Sequence, residues 1–132
     1  MRDPRTTGNS FETTQLDLYS YWACIERLID GDTVDVTVSL GFELYSNIRI
    51  RLFGIDTSEI HGVKHSSSEY QRGMVALTRL EELVPEGTWV EIKVYQSSTR
   101  EKYGRWLAEI FLNGQNINQQ LIAEGLATVL TA

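Results

Sequence analysis

Hydrophobic and polar residues alternate along three segments in the first half of the chain. The first, from Leu18 to Ile29, is rich in aromatic and aliphatic residues and ends at the turn signal Asp30-Gly31. Alternation then runs from Val34 to Leu40 and, after a turn around Gly41, from Ile48 to Phe53. A period of two is typical of strands that bury one face. The pattern therefore predicts three consecutive strands.

The period changes at Ser66. Ser66 and Glu69 have the spacing of a capping box, and apolar residues then recur at helical intervals up to Val84. Pro85 follows directly, and proline cannot continue a helix. The spacing predicts one helix over about residues 67–84.

Alternation returns in the last third of the chain. It predicts a fourth strand over 89–94 and a fifth over 106–112, which stops at Asn113-Gly114. A short helix over 117–124 is closed by Gly125. The order is thus βββαββα. A five-stranded antiparallel sheet of this size hides its edges best by curling into a small barrel, so the expected fold is an α+β OB-fold, a class that often binds oligonucleotides.

The length of 132 residues fits one domain. Residues 1–15 are polar and aperiodic, which predicts a flexible lead-in before a domain spanning 16–132. The chain shows neither a signal peptide nor an apolar run long enough to cross a bilayer, and its single cysteine, Cys24, cannot form an internal disulfide. We therefore expect a monomer that does not bind membranes, and a cytoplasmic location is favoured.

Charge at first argues against a nucleic-acid partner. The formal net charge is -6, whereas proteins that coat nucleic acid rely on Lys and Arg to neutralise phosphates. The distribution of the basic residues weakens this objection, because half of the twelve fall in two short segments near acidic residues. These six are Arg49, Arg51, Lys64, Arg100, Lys102 and Arg105.

Three polar clusters lie at predicted strand ends: 30–33 at the first hairpin, 51–59 after the third strand, and 102–105 before the fifth. Together they supply carboxylates for a divalent cation, an acid that could orient or deprotonate water, and cations for a phosphate. Phosphodiester hydrolysis requires these three components. Taken singly, each cluster could be only a turn, a solvated strand face or an exposed loop. Their joint occurrence favours a phosphodiesterase site.

The same clusters resemble the staphylococcal nuclease (thermonuclease) family. The matching strings are Ile29-Asp30-Gly31-Asp32-Thr33-Val34, Arg51-Leu52 with Ile55-Asp56-Thr57-Ser58-Glu59, and Lys102-Tyr103-Gly104-Arg105. Asn118, Leu121 and Gly125-Leu126-Ala127 also stand where the family pattern expects them. The resemblance runs from about residue 20 to the end of the chain, and its spacing is family-like.

This resemblance implies a role for each matching residue. Asp32, Asp56 and the backbone carbonyl of Thr57 would bind one calcium ion per chain. Glu59 would hold or deprotonate the attacking water, while Arg51 and Arg105 would clamp the phosphate. The remaining two positions, Lys102 and Tyr103, would contact a substrate phosphate. The implied activity is that of a calcium-dependent nuclease with little base preference, cutting single-stranded or locally opened DNA or RNA and leaving 3'-phosphate ends.

The sequence also departs from the family pattern. Ser58 replaces a proline, and Thr131 stands where the family begins a pair of tyrosines that stack on the substrate base. Stacking contributes about 1–3 kcal/mol per base, so the resemblance predicts weaker substrate binding here. The loop from Ile60 to His65 is shorter and poorer in lysine than in the extracellular prototype.

Two other functions stay open at this point. A non-catalytic OB-fold module that binds nucleic acid or protein would not need Asp32, Asp56, Glu59 and the two arginines. A structural protein that used the barrel only as a scaffold would show no effect of metal on its melting temperature. His61 and His65 are candidates for a second metal site or a general base, but such a surface pair is more often part of a polar loop.

Overall fold

A computed structural model describes residues 19–95 and 105–130. The predicted lead-in, 1–15, lies outside these ranges. The strands are β1 (Ser20–Asp30), β2 (Thr33–Gly41), β3 (Leu44–Leu52), β4 (Ile55–Asp56), β5 (Trp89–Val94), β6 (Trp106–Leu112), β7 (Gln115–Asn116) and β8 (Thr128–Val129). The helices are α1 (Ser68–Leu83) and α2 (Ile117–Ala123).

Five of the strands form a closed barrel, which confirms the predicted OB-fold and the order βββαββα. Neighbouring strands follow the order β3-β2-β1-β5-β6, and a pairing between β3 and β6 closes the sheet on itself. That closing pair is parallel, so the expectation of a wholly antiparallel sheet was wrong at this one seam. The barrel closes by bringing the ends of β3 and β6 together side by side, with Ile50 beside Trp106 and Leu52 beside Ala108.

The alternation of hydrophobic and polar residues predicted the strand bounds well wherever one face of the strand is buried. β5 and β6 have the predicted bounds, whereas β3 begins four residues before the predicted Ile48. Its first residues, Leu44 and Tyr45, pair with β2 but extend beyond the core, and both side chains are exposed. A strand segment that covers no core has no reason to alternate, so the sequence pattern did not reveal it.

The barrel interior is filled by aliphatic side chains, and α1 and α2 cover it. Ile25, Ile50, Leu52, Ile92 and Ile110 are among the fully buried side chains. Burying such side chains contributes about 1.5–3 kcal/mol each. No helix in the described ranges is long and apolar enough to span a membrane.

The start of α1 differs by one residue from the predicted capping box. Ser67, rather than Ser66, is the N-cap, and its hydroxyl accepts a hydrogen bond from the Tyr70 N–H at 3.1 Å. Ser67 itself is tied to the preceding loop, because its N–H and its hydroxyl both donate to the Lys64 carbonyl. The helix ends at Leu83, just before Pro85, as predicted.

Asn118 on α2 connects the helix to the end of the barrel where β3 ends. Its side-chain oxygen accepts the Ile110 N–H at 3.2 Å, and its amide donates to the Phe53 carbonyl at 2.9 Å. The side chain is fully buried, so both groups must be satisfied by the protein. The family-like Asn118 thus holds the chain segment that follows Arg51.

The β2–β3 hairpin has an unusual tip. Phe42 and Glu43 have φ angles of 55° and 61°, and the Phe42 side chain is 95% exposed. Two consecutive residues with positive φ match a type I′ turn, which favours Asn-Gly. The β6–β7 turn uses that favoured pair, Asn113-Gly114. The first hairpin therefore carries backbone strain that the second avoids.

Candidate active site

The residues predicted to bind metal or to act in catalysis in the clusters 30–33 and 51–59 lie at one end of the barrel. Strand pairing places Thr33 of β2 opposite Arg51 of β3, and the β3–β6 seam brings Arg105, one residue before β6, to the same end. The short β4–β8 pairing then fixes Asp56 opposite Thr128. We use "candidate site" for Asp32, Arg51, Asp56, Glu59 and Arg105 together with the residues that hold them.

Asp32 is the buried acid of the candidate site. One carboxylate oxygen, Oδ2, accepts the Thr57 N–H at 3.1 Å and lies 3.4 Å from Nη2 of Arg51. The other, Oδ1, accepts the Thr33 hydroxyl at 3.1 Å. Burial alone raises the pKa of this carboxyl, but hydrogen bonding with Asp30, the charge of Arg51 and the Thr57 N–H together lower it below its ordinary value. Asp32 is therefore held as a charged carboxylate.

Arg51 links the two predicted metal ligands. Its Nη2 lies 3.0 Å from Oδ1 of Asp56 as well as near Asp32, and Nη1 donates to the carbonyls of Leu52 and Ile55. The side chain is only 13% exposed. The planar guanidinium suits this role because its donors point in fixed directions. Asp32 and Asp56 consequently converge on one positively charged nitrogen.

Arg105 joins the same network through a hydroxyl. Its Nη1 donates to Thr33 Oγ1 at 3.2 Å, and that hydroxyl donates in turn to Asp32. Arg105 has further interactions beyond this bond. Thr33 was predicted only as a member of a family-like string, although the expected pairing of β2 with β3 could have indicated its place opposite Arg51. Thr33 connects the second arginine to the buried acid.

Asp30 is a second residue that the sequence analysis treated only as part of a turn. It is buried, and its Oδ1 accepts the Asp32 N–H at 3.0 Å. Burial, hydrogen bonding with Asp32 and the negative charge of Asp32 together raise the pKa of Asp30 to about 7. Its signal in the sequence was the spacing of two residues from Asp32. The turn therefore carries two carboxyl groups of different proton affinity.

Asp56 faces solvent and two other acids. Burial raises the pKa of the Asp56 carboxyl, and the negative charges of Asp32 and Glu59 raise it further, although Arg51 opposes the rise. Glu59, three residues after Asp56, is exposed. The three acids thus form a locally negative group in which protonation of Asp56 relieves repulsion.

The donor chemistry fits a divalent cation. Two carboxylates that approach one positive nitrogen and repel each other would be stabilised by a metal ion, and oxygen ligands suit calcium. In the ranges 19–95 and 105–130, no group of three or more His, Cys, Asp and Glu side chains could hold a metal. A cation here would therefore depend on the two aspartates and backbone oxygen, as the resemblance implies.

A close helix contact holds the segment that carries the acids. A Cβ built on Gly73 of α1 would lie 2.4 Å from Ile60 Cγ2 and 2.6 Å from the Ser58 carbonyl oxygen. Likewise, a Cβ on Gly31 would lie 2.8 Å from the Cβ of Ala76. Such distances are too short for any real Cβ. Small residues on one face of α1 thus let the helix press against the backbone around Glu59 and the first turn.

The Thr57 hydroxyl is an exception to the satisfied polar groups of this region. Its Oγ1 is buried and has no hydrogen-bond partner in the described part of the chain. It lies 2.9 Å from the point that a Cβ on Gly31 would occupy. The Thr57 side chain therefore packs against the turn at Gly31, while its backbone N–H donates a hydrogen bond to Asp32.

The described residues do not include three positions discussed in the sequence analysis, Lys102, Tyr103 and Thr131. His61 contacts the Ile29 carbonyl oxygen at 3.3 Å through Nε2, and the His65 ring stacks on Tyr70. These contacts give both histidines structural roles in the loop before α1.

Comparison with known proteins gives one family. A family model described as "Staphylococcal nuclease homologue" matches residues 49–132. The SPbeta prophage-derived endonuclease YokF of Bacillus subtilis is 33% identical over 105 residues, which cover 80% of this chain and 33% of the relative. Endonuclease YncB of the same bacterium is 33% identical over 107 residues, covering 80% and 46%.

A thermonuclease from Staphylococcus intermedius is 29% identical over 117 residues, which cover 89% of this chain and 64% of that protein. The chain spans 33% to 64% of the length of these three relatives.

Proposed function

This chain belongs to the staphylococcal nuclease family, and on that premise we propose that it is a nuclease that hydrolyses phosphodiester bonds of DNA or RNA. The relatives named as endonucleases and as a thermonuclease support this proposal. One observation of the structure carries it: Asp32 and Asp56 converge within 3.4 Å and 3.0 Å of the same nitrogen of Arg51. A barrel that served only as a scaffold would have no use for this arrangement of charges.

The two arginines would bind the phosphate. Each guanidinium presents several N–H donors that match phosphate oxygens and does not lose its charge at physiological pH. Arg51 is fixed by four contacts, so its direction is set before a substrate arrives. A donor held in advance stabilises the charge that develops on the phosphate oxygens without reorganising during the reaction.

Glu59 would position the attacking water and take its proton. It is exposed, so water can reach it, and it follows Asp56 by three residues in the same segment. The close contact of Gly73 with the Ser58 and Glu59 carbonyl oxygens and the Ile60 side chain holds the backbone of Glu59 against α1. Fixed placement of the base is effective because it converts a random encounter into an oriented one.

Asp32, Asp56 and the backbone carbonyl of Thr57 would hold one calcium ion. When bound, the ion would add positive charge beside the phosphate and polarise a phosphate oxygen. The partial burial of this site protects the Asp32 carboxylate from solvent, so its charge is screened less than that of a surface acid.

The proposed substrate is a single-stranded or locally opened nucleic acid with little base preference, cut by a monomer to leave 3'-phosphate ends. Lys102 and Tyr103 are proposed to contact a neighbouring phosphate. Selectivity for opened strands would follow from the need to bring one backbone phosphate between Arg51 and Arg105.

The test is cleavage of heat-denatured DNA and of unstructured RNA by the purified chain, with calcium or with a chelator. We expect cleavage with calcium only, and products whose 3' ends can be extended by a polymerase only after phosphatase treatment. Arg51→Lys and Arg105→Lys should each lower kcat by at least about tenfold, because a lysine cannot reproduce the guanidinium fork.

Arg49→Lys is the matched control, because Arg49 projects from the same strand but pairs with Asp35 outside the candidate site. It should keep the wild-type rate. Binding of the denatured DNA without any cleavage, with or without calcium, would instead identify a non-catalytic OB-fold module and overturn the proposal.

A further inference from the structure

A groove of about 550 Å³ opens beside the candidate site. Asp56, Thr57 and Ser58 form one wall, and Arg72 and Val75 of α1 form the other. Leu126 lies among the residues that line it from the segment after α2. Two of the residues in the first wall, Asp56 and Thr57, also belong to the proposed calcium and phosphate site. A strand bound there would therefore enter this groove on one side.

The lining suits one nucleotide. The side chains of Ser58 and Ser68 line the groove together with the aliphatic side chains of Val75 and Leu126. A few polar groups on a partly apolar surface are typical of pockets that orient a small organic ligand, and the volume falls within the usual range of about 300–1,000 Å³. A sugar and base could pack on the apolar side while their polar atoms face the hydroxyls.

Arg72 differs from four other arginines of the described ranges. Arg27, Arg49, Arg51 and Arg79 each lie within 4.0 Å of a carboxylate oxygen. For Arg72 the described ranges show no such carboxylate, including that of Glu69 one turn earlier on α1. Its contact is with a neutral group: Nε donates to Ser58 Oγ at 3.4 Å. This leaves the four N–H donors of its two terminal nitrogens for another acceptor.

The charge of the chain makes this arrangement informative. With 18 acidic and 12 basic residues, carboxylates outnumber the cations that could pair with them. The Arg72 guanidinium contacts none of the described carboxylates and lies on the wall of a groove next to the proposed phosphate site. It therefore has the chemistry to bind a second phosphate. The hydrogen bond to Ser58 also orients the Arg72 side chain, because Ser58 belongs to the segment that carries Asp56 and Glu59.

We infer that the groove holds the nucleotide next to the scissile phosphate, with Arg72 binding the phosphate that follows. The inference rests on the proposed nuclease function and extends it to a subsite. Arg72 would raise the efficiency of cleavage only for strands long enough to place a phosphate beside it. Longer substrates would thus gain over a dinucleotide through a contact outside the catalytic residues.

The experiment compares kcat/KM for two thymidine oligonucleotides, a dinucleotide with one phosphodiester bond and a pentanucleotide cut at a central bond. In Arg72→Gln, the ratio of pentanucleotide to dinucleotide efficiency should fall about tenfold, as expected for loss of one charge-assisted hydrogen bond. The slope of log kcat/KM for the pentanucleotide against log salt concentration should become shallower by about 0.7, which corresponds to one phosphate of a single strand.

Arg27→Gln removes the same charge from an exposed arginine on β1 and is the matched control. It should keep the wild-type ratio and salt slope. Arg72→Lys retains the charge and should lie between wild type and Arg72→Gln. Equal ratios in wild type and Arg72→Gln, or equal losses in the Arg72 and Arg27 variants, would overturn the subsite. Absence of cleavage of both oligonucleotides by the wild-type chain would overturn the proposed nuclease function itself.

Discussion

At the scale of single residues, Arg51 determines the geometry of the candidate site. It contacts both aspartates through one nitrogen and two backbone carbonyls through the other. The sequence predicted Arg51 from its place in a family-like string, but it did not show that the guanidinium also satisfies the turn after β3. The residue therefore has a structural role in addition to its proposed role in binding phosphate.

Replacing Arg51 should weaken both roles. Arg51→Gln leaves the buried Asp32 without its cation, so we expect the free energy of unfolding to fall by about 3 kcal/mol in urea titrations at neutral pH. We expect kcat on denatured DNA to fall by about 10²- to 10³-fold. Arg49→Gln breaks only an exposed pair and should change stability by about 0–1 kcal/mol. Equal destabilisation by the two variants would contradict the structural role of Arg51.

A substitution at Gly73 tests the close contact between α1 and the segment that carries Glu59. Alanine favours helices over glycine by about 1 kcal/mol, so helix propensity alone predicts that Gly73→Ala stabilises α1. The added Cβ would lie 2.6 Å from a backbone oxygen, which cannot move aside as a flexible side chain can. We expect a net loss of about 1–3 kcal/mol in urea denaturation, as overpacking produces. Thr78→Ala, at an exposed position of the same helix, should be neutral or slightly stabilising. A more stable Gly73→Ala variant would refute the close contact.

At the scale of elements, helices and strands were predictable wherever a buried face imposed a period. β5 and β6 were placed to the residue because their alternating side chains fill the barrel. The two-residue strands β4 and β8 were missed, since so short a pairing has no period of its own. The helix cap was misplaced by one residue because Ser66 and Ser67 stand side by side, and only the bond to Tyr70 distinguishes them.

The β2–β3 hairpin should gain stability from a turn sequence that tolerates positive φ. Replacing Phe42-Glu43 by Asn-Gly, the pair already used at residues 113 and 114, removes a strain of about 1–2 kcal/mol for each residue with a left-handed backbone. We expect a higher Tm in thermal unfolding. Phe42→Ala is the control, since it removes the exposed ring but keeps a side chain at positive φ. It should not raise Tm. The hairpin strain would be refuted if the Asn-Gly variant were no more stable than wild type.

The two helices are tied by an ion pair whose effect should depend on pH. Hydrogen bonds from Arg79 and then Gln120 lower the pKa of Glu124 to about 2, below its ordinary value of 4.5. A carboxyl whose pKa is lower in the folded state stabilises the fold above its unfolded pKa, and this contribution is lost as pH falls. The difference in Tm between wild type and Glu124→Gln should therefore be constant above about pH 5 and shrink between pH 4.5 and 2.

Glu86→Gln is the matched control for this pair, because Glu86 has no hydrogen-bond or ion-pair partner in the described ranges. It should follow the wild-type pH profile. If the difference between wild type and Glu124→Gln stayed constant down to pH 2, the stabilisation would not come from the ionised carboxylate.

At the scale of the whole molecule, the fold followed from the sequence more completely than the candidate site did. The succession of elements and the small barrel were predictable from alternation and length, whereas the contacts of Thr33 with Arg105 and of Arg72 with Ser58 join residues far apart in the chain. Arg105 reaches Thr33 across 72 positions, and no local pattern encodes that distance. The resemblance supplied the roles proposed for the acids, and the structure shows which neighbours orient them.

A calorimetric titration of calcium into the wild-type chain and three single variants tests the proposed cation site. We expect one binding event per wild-type chain that is lost or strongly weakened in Asp32→Asn and Asp56→Asn. Asp35→Asn, which alters an acid paired with Arg49 outside the candidate site, should bind calcium as the wild type does. Equal calcium binding by all four proteins, or none by the wild type, would contradict the claim that the two converging aspartates form a cation site.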